Sequence, residues 1–249
     1  MNEYNKIKLS LDLKDALSDY DAFVKSYLGN NIDQCTIEDI FSKILLTCDK
    51  IIPDSFPKEI KIIFSSSLRN VYVKYIGFTI IERSWVSPLS KIIGNRKVLE
   101  VMAGSGALSL ALEKEGVDII STDNMTWYNK YDKWNLEDSY HYIEFMNSIE
   151  AVEKYGKECE FLLMSWPYMD DTAYMTIKKY REINPNGHFI YIGEGYGGCT
   201  ANDEFFDYME NFEESVLFRT ENAYSNEMNE IRENYKSWYG IYDHVNIYF

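Results

Sequence analysis

The period of the apolar residues changes near Gly94-Asn95, and this change constrains the fold more than any other feature of the chain. Ahead of it, Leu11, Leu13, Ala16, Leu17, Tyr20, Phe23, Val24, Tyr27 and Leu28 recur at threes and fours until Gly29-Asn30-Asn31 stops them, which predicts a helix. Thr36, with Asp39 three residues on, predicts a capped second helix through Leu46, and Pro57 opens a third to about Phe64. The apolar and aromatic stretch from Leu68 to Ile81 predicts a buried helix ending before Ser87-Pro88. Beyond the change, short β-like runs alternate with helical ones. Strands are expected at 97–102, 117–122, 160–164 and 188–192, with one more ahead of Asn147. Helices are expected from Leu108 to Leu112, near 148–155 and 172–182, and from Asp203 to Met209. Ser215–Arg219 and Val245–Phe249 supply a closing antiparallel edge. Strands alternating with helices mean parallel crossover units. The expected architecture is therefore α/β: a doubly wound, mostly parallel seven-stranded sheet in residues 91–249, preceded by a helical region in residues 1–90.

Composition narrows what such a sheet can serve. The 249 residues carry a formal net charge of -15, unevenly spread. Residues 1–96 hold 13 basic and 12 acidic side chains, against 12 and 28 in residues 97–249. So acidic a sheet repels a phosphate backbone, which disfavours nucleic acid and leaves a small molecule or a protein as partner. Cys35, Cys48, Cys159 and Cys199 form no C-x-x-C pair, and with His141, His188 and His244 they draw no metal site. Few, scattered cysteines in a chain of this size indicate a reducing compartment. The first residues carry no signal-peptide pattern, and no apolar run approaches the roughly 18 residues of a membrane span, so a cytoplasmic protein is expected.

Ligands of doubly wound sheets sit beyond the C-terminal strand ends, where strand order reverses. Gly104 and Gly106 fall there, between the first strand and its helix. Glycine admits a close ligand and a positive φ, and a helix N-terminus offers free N–H groups. Asp123 closes the second strand, 19 residues after Gly104, where a carboxylate can accept from both hydroxyls of a ribose. A dinucleotide fingerprint wants a third glycine where Ser109 stands, and Glu100 would repel a pyrophosphate. A carboxylate at that place suits a cationic ligand.

Leu99-Glu100-Val101-Met102-Ala103-Gly104-Ser105-Gly106-Ala107-Leu108 resembles motif I of the class I S-adenosylmethionine (SAM)-dependent methyltransferases, with Met102 in place of the first glycine. The resemblance implies a Rossmann-like domain with SAM as cofactor. Glu100, Met102, Ala103, Gly104, Ser105 and Gly106 would hold its methionine moiety, Asp123 its ribose, and Asn124 and Asn147 its adenine.

Met164-Ser165-Trp166-Pro167-Tyr168 follows the fourth strand, across the switch point. It is similar to the [DNS]-P-P-[YFW] motif of methyltransferases that modify exocyclic or amide nitrogen, with Trp166 in place of the first proline. A conjugated NH2 is a poor nucleophile, and hydrogen bonds from it to a side-chain acceptor and a backbone carbonyl free its lone pair. The resemblance puts Ser165, Trp166, Pro167 and Tyr168 in the catalytic loop, with Ser165 Oγ and the Trp166 carbonyl as those two acceptors and Tyr168 stacking on a planar target. Glu194, in the glycine-rich Gly193–Gly198 loop, is a further candidate at the substrate. The expected activity is methyl transfer to nitrogen of a small-molecule or protein substrate. Two other readings compete. The departures at Met102 and Trp166 suit a non-catalytic SAM-binding or interaction protein, and Ala103–Ala107 with His244 suits an α/β-hydrolase elbow built on Ser105.

Overall fold

A computed structural model describes residues 66–126, 139–210, 224–238 and 240–249. The helices expected at 11–28, 36–46 and 57–64, the Tyr128–Trp134 stretch and the strand expected at Ser215–Arg219 lie outside the described residues. In chain order the elements are α1 (Ser66–Tyr75), α2 (Arg83–Ile93), β1 (Val98–Val101), α3 (Ala107–Lys114), β2 (Ile119–Asp123), β3 (Ile143–Phe145), α4 (Ser148–Tyr155), β4 (Phe161–Ser165), α5 (Thr172–Ile183), β5 (His188–Gly193), α6 (residues 203–210), α7 (Ser225–Asn234) and β6 (His244–Tyr248).

The strands form one sheet in the order β3-β2-β1-β4-β5-β6, with β6 antiparallel to β5 and every other pairing parallel. Among the described residues it has six strands, not the expected seven. Parallel strands are covered on both faces and so read as unbroken apolar runs, and all four residues of β1 are buried. Their side chains alternate between two cores. Val98, Phe161, Leu163, Ile190 and Ile192 face one, and Leu99, Val101, Leu162, Met164 and Phe189 face the other. The doubly wound architecture stands.

Ahead of the sheet the expected helix over 68–81 is cut short. α1 ends at Tyr75, Gly77 turns the chain at φ 143, and residues 77–82 run as a loop before α2. The Tyr72 hydroxyl accepts the N–H of Ile81 at 3.1 Å, tying that loop back to α1. α2 itself runs through Pro88, where a stop is expected. A proline inside a helix costs about 3 kcal/mol. Burying Trp85, Val86, Leu89, Ile92 and Ile93 outweighs it, at about 1.5–3 kcal/mol for each large apolar side chain. These residues join Tyr72, Ile76 and Trp238 in the core that covers Val98, Phe161 and Leu163. Among the described residues no helix is long and apolar enough to cross a membrane.

Candidate active site

The strand order reverses between β1 and β4, and the loops that leave β1, β2 and β4 open onto one cavity of about 840 Å³. Gly77, Phe78 and Thr79, from the loop between α1 and α2, also line it. Sequence reading missed this part of the wall because it assigns those residues to a helix.

The loop after β1 enters the cavity through two residues with left-handed backbone. Met102 has φ 56 and Gly104 φ 57, and both line the cavity with Ala103 and Ser105. Met102 thus holds a conformation that glycine adopts freely and a bulky side chain rarely does. A Cβ on Gly104 would meet nothing within 4 Å, so its backbone faces open space. Gly106 is different. It lies outside the cavity wall at φ 73, where a Cβ would meet His141 Cβ at 3.1 Å and Ile143 Cδ1 at 3.2 Å. It is a packing glycine, letting the segment before β3 close over the loop. The Ser105 hydroxyl donates to the carbonyl of Ile76, and the Ser105 carbonyl accepts the N–H of Tyr140 at 2.9 Å.

Asp123, at the end of β2, is buried and lines the cavity. Its Oδ2 accepts the N–H of Gly104 at 2.8 Å and its Oδ1 that of Met125 at 2.6 Å. Asn124 and Asn147 also line the cavity. Asn124 Oδ1 accepts from the N–H and hydroxyl of Thr126, and Asn147 caps α4 by accepting the N–H of Glu150 at 2.9 Å.

Glu100 is the most perturbed group at the cavity. It is 1% exposed, and burial pushes its carboxyl up to about 8, with the Asp123 charge adding to the rise and a hydrogen bond from Ser109 opposing it. Ser109 also bonds the Ser121 hydroxyl, which stands 2.9 Å from His141 Nδ1. The rim adds Glu150, Asp170 and Asp171 against Arg69 and Lys74. A cavity so lined favours a cation or a neutral amine over an anion.

Ser165, Trp166, Pro167 and Tyr168 all line the cavity opposite the glycine loop. The Ser165 hydroxyl is 2.9 Å from that of Thr79. Trp166 stacks on Phe78, with ring centroids 4.9 Å apart and planes 14° from parallel, and its Nε1 donates to Asp243 Oδ2 at 3.0 Å. Its backbone departs from the expected motif. Trp166 has φ 54, and its N–H donates to the Ile192 carbonyl at 2.7 Å. Proline can neither take that φ nor donate that bond, so the loop differs in conformation, not only in residue type, from a Pro-Pro motif. Tyr168 and Met175, both on the cavity wall, are about half exposed.

Glu194 lies outside the cavity wall. It is buried and accepts the N–H groups of Cys199 at 2.8 Å and Tyr242 at 3.1 Å, which hold its carboxyl below the usual range although burial opposes them. Its observed work is to fasten the loop after β5 to the segment before β6. Trp85 is a core residue whose Nε1 donates to the Ile80 carbonyl at 3.0 Å. The hydrolase reading finds no dyad. The Ser105 hydroxyl is spent on Ile76, and His244 is exposed at the start of β6, the sheet edge three strands from β1.

No protein-family model matches the chain, and no curated protein matches it. Among solved structures it is similar to TehB from Haemophilus influenzae at 20% identity and a TM-score of 0.37, over 57% of this chain and 54% of that one. The match thus spans about half the length of TehB. A SAM dependent methyltransferase from Archaeoglobus fulgidus matches at 12% identity and a TM-score of 0.40, over 72% of this chain and 98% of that one. An O-methyltransferase from Bacillus cereus in complex with SAH matches at 12% identity and a TM-score of 0.35, over 80% and 85%. At these identities and TM-scores the likeness assigns no role to any residue, and the site's chemistry rests on the cavity itself.

Proposed function

We propose that the chain is a SAM-dependent methyltransferase acting on a nitrogen, amino or amide, of a small-molecule or protein substrate. The observation that carries the reading is the buried Glu100 carboxyl beside the open backbone of Gly104 and the carboxylate of Asp123, at the strand-order switch point and opposite Ser165.

The cavity fits the cofactor on three counts. Its volume of about 840 Å³ holds a nucleoside with an amino-acid tail and leaves room for an acceptor. The glycine backbone is open where a Cβ would intrude. Two buried carboxyl groups, of Glu100 and Asp123, line it and suit a ligand carrying both hydroxyls and positive charge. When bound, the cofactor supplies a methyl group already activated on a sulfonium. Glu100 then faces positive charge, and Asp123 accepts from the ribose while still holding Gly104 in place. Asn124 and Asn147 flank the adenine. Ser165 Oγ accepts a hydrogen bond from the acceptor N–H and so raises the density of its lone pair. Tyr168 offers a ring face on the cavity wall, and the Phe78–Trp166 stack keeps water from the transfer line. Because Trp166 is left-handed, its carbonyl has no part in this scheme.

Calorimetric titration with SAM, S-adenosylhomocysteine (SAH) and NAD tests the reading. Micromolar binding of the first two, lost in Asp123→Ala, is the expected result. Failure of the wild-type protein to bind either one overturns it. The left-handed Trp166 favours a second reading, a SAM-binding protein without catalysis. Formation of SAH and a methylated product from a panel of amines separates the two.

A further inference from the structure

Arg69, on α1, lines the cavity and is in ion-pair contact with no carboxylate among the described residues. Its guanidinium carbon stands 5.9 Å from the centre of the Phe78 ring. Phe78 stacks on Trp166, and the neighbouring Thr79 meets the Ser165 hydroxyl at 2.9 Å. Of the three Arg69 nitrogens, Nε alone is buried without a hydrogen-bond partner. A guanidinium with part of its fork closed off from water is only partly hydrated, so a counter-charge gains more by meeting it. Glu194 registers the Arg69 charge: burial raises that carboxyl, the N–H groups of Tyr242 and Cys199 lower it, and Arg69 lowers it further. Both Glu194 oxygens are taken by those N–H groups, so Glu194 tempers the Arg69 charge without pairing with it.

We infer that Arg69 is a subsite for a carboxylate on the methyl acceptor, so that the substrate is a small amine that also carries a carboxylate. This rests on the methyltransferase reading. A guanidinium presents its donors in a planar fork that matches a carboxylate, and with Nε closed off the ligand meets it at the Nη end. The rest of the lining decides what that carboxylate is attached to. Asp123, Glu150, Asp170 and Asp171 line the same cavity and repel a bare anion, so an acid that enters must bring an amine with it. One molecule then meets both demands, with its nitrogen at Ser165 Oγ and its carboxylate at Arg69. The Phe78–Trp166 stack adjoins both places and offers apolar surface to whatever joins them. Held at a second point, the nitrogen approaches the sulfonium from a fixed direction, and methyl transfer depends on that alignment. SAM has a carboxylate of its own, but the loop assigned to its methionine end follows β1. Arg69 is grouped instead with Phe78, the stacking partner of Trp166 after β4, and with Glu194 after β5. It touches the substrate away from the reacting atoms and so sets specificity.

The test reads binding to the SAH-loaded protein, in which no methyl group is available for transfer. Two matched pairs differ only in the acid: 4-aminobenzoate against 4-aminobenzamide, and L-phenylalanine against L-phenylalaninamide. Calorimetry is run on the wild-type protein, Arg69→Lys and Arg69→Gln, each titrated with SAH first. In at least one pair the wild-type protein should prefer the acid about tenfold, the worth of one charge-assisted hydrogen bond. Arg69→Gln should lose that preference and Arg69→Lys keep only part of it, while both bind SAH within about twofold of wild type. A wild-type protein that prefers neither acid overturns the subsite, and so does a preference that survives in Arg69→Gln. A tenfold loss of SAH affinity in Arg69→Gln also overturns it, by giving Arg69 to the carboxylate of the cofactor. Where Arg69→Gln does not fold, Arg69→Lys decides alone: a preference cut by about threefold or more supports the subsite, and an undiminished one overturns it. Absence of SAH binding by the wild-type protein is a separate result that removes the methyltransferase reading, and the acceptor with it.

Discussion

The Asp123 carboxylate holds the N–H of Gly104 at 2.8 Å, so the acid that ends β2 fastens the glycine loop that follows β1. The same side chain takes the N–H of Met125 at 2.6 Å with its other oxygen. Asp123 is therefore a structural clamp as well as a candidate ribose ligand. Hydrogen bonds to a buried charge contribute about 1.5–3 kcal/mol each. Asp123→Ala is expected to destabilise the fold by about 2–4 kcal/mol, lowering Tm by several degrees in a chain of this size. Asp123→Asn, which can still accept one of the two bonds, should cost about half as much. Thermal unfolding without ligand checks this, and an unchanged Tm in Asp123→Ala would show that the clamp is not formed.

Glu100 makes stability depend on pH with a definite sign. Its folded value of about 8 lies above the ordinary 4.5 because burial disfavours the charged form. A raised value means that its contribution is fully present below the unfolded value and is lost as pH rises through the folded one. Between these limits the unfolded chain gains by ionising while the folded protein cannot, and stability declines by up to about 1.4 kcal/mol per pH unit. Glu100→Gln removes that slope. The variant should unfold within a degree or two of wild type near pH 4.5 and be the more stable protein, by a few kcal/mol, at pH 8. Parallel pH dependence of the two proteins in urea titrations would contradict it. The same buried carboxyl should lose its proton when a cation binds, so calorimetry in buffers of different ionisation enthalpy should register release of up to about one proton per SAM bound at pH 7.

The two glycines of the loop should separate stability from binding. Ala at Gly106 would press on His141 and Ile143 at 3.1–3.2 Å in a left-handed backbone. Strain and overpacking together should cost about 2–4 kcal/mol. Ala at Gly104 meets nothing within 4 Å, so its cost is the left-handed conformation alone, about 1 kcal/mol. Its methyl projects into the cavity, however, and should weaken SAH at least tenfold. Gly106→Ala should thus show the larger fall in Tm and Gly104→Ala the larger fall in affinity. The reverse order would mean that the ligand approaches the loop elsewhere.

The same contrast explains how much of the site was legible in the sequence. The glycine loop, Asp123 and the Ser165–Tyr168 loop could be placed because each directly ends a buried parallel strand, and such strands announce themselves as short apolar runs. What carries the far wall could not. Thr79 meets Ser165 across 86 residues and Asp243 meets Trp166 across 77, and no local pattern encodes either pairing. Phe78 and Thr79 were hidden for a further reason. The apolar stretch that reads as one helix to Ile81 breaks at Gly77, and its successor α2 crosses Pro88 because core burial overrides the proline. Glu194 misled in the opposite way, since a carboxylate in a glycine-rich loop at the correct sheet edge proved to bind its own backbone. Of the antiparallel edge, β6 was legible in the sequence.

Trp166 supplies the sharpest test of the site's conformation, because the substitution that completes the Pro-Pro motif on paper should damage this protein. Proline is confined to φ near about −65° and lacks an N–H. Trp166 sits at φ 54 and donates to Ile192 at 2.7 Å, a bond between the loop after β4 and the end of β5. Trp166→Pro must therefore flip the backbone beside Ser165, release that bond and abolish the stack on Phe78. Together these should cost at least about 3 kcal/mol and lower Tm by about 6 °C or more. Trp166→Phe keeps the ring on Phe78 and loses only the donor to Asp243, at about 1–2 kcal/mol. The two variants should fall in that order in thermal unfolding. A Trp166→Pro protein with wild-type Tm and undiminished SAH affinity would mean that the loop adopts the Pro-Pro conformation after all, and would return the Trp166 carbonyl to the catalytic scheme.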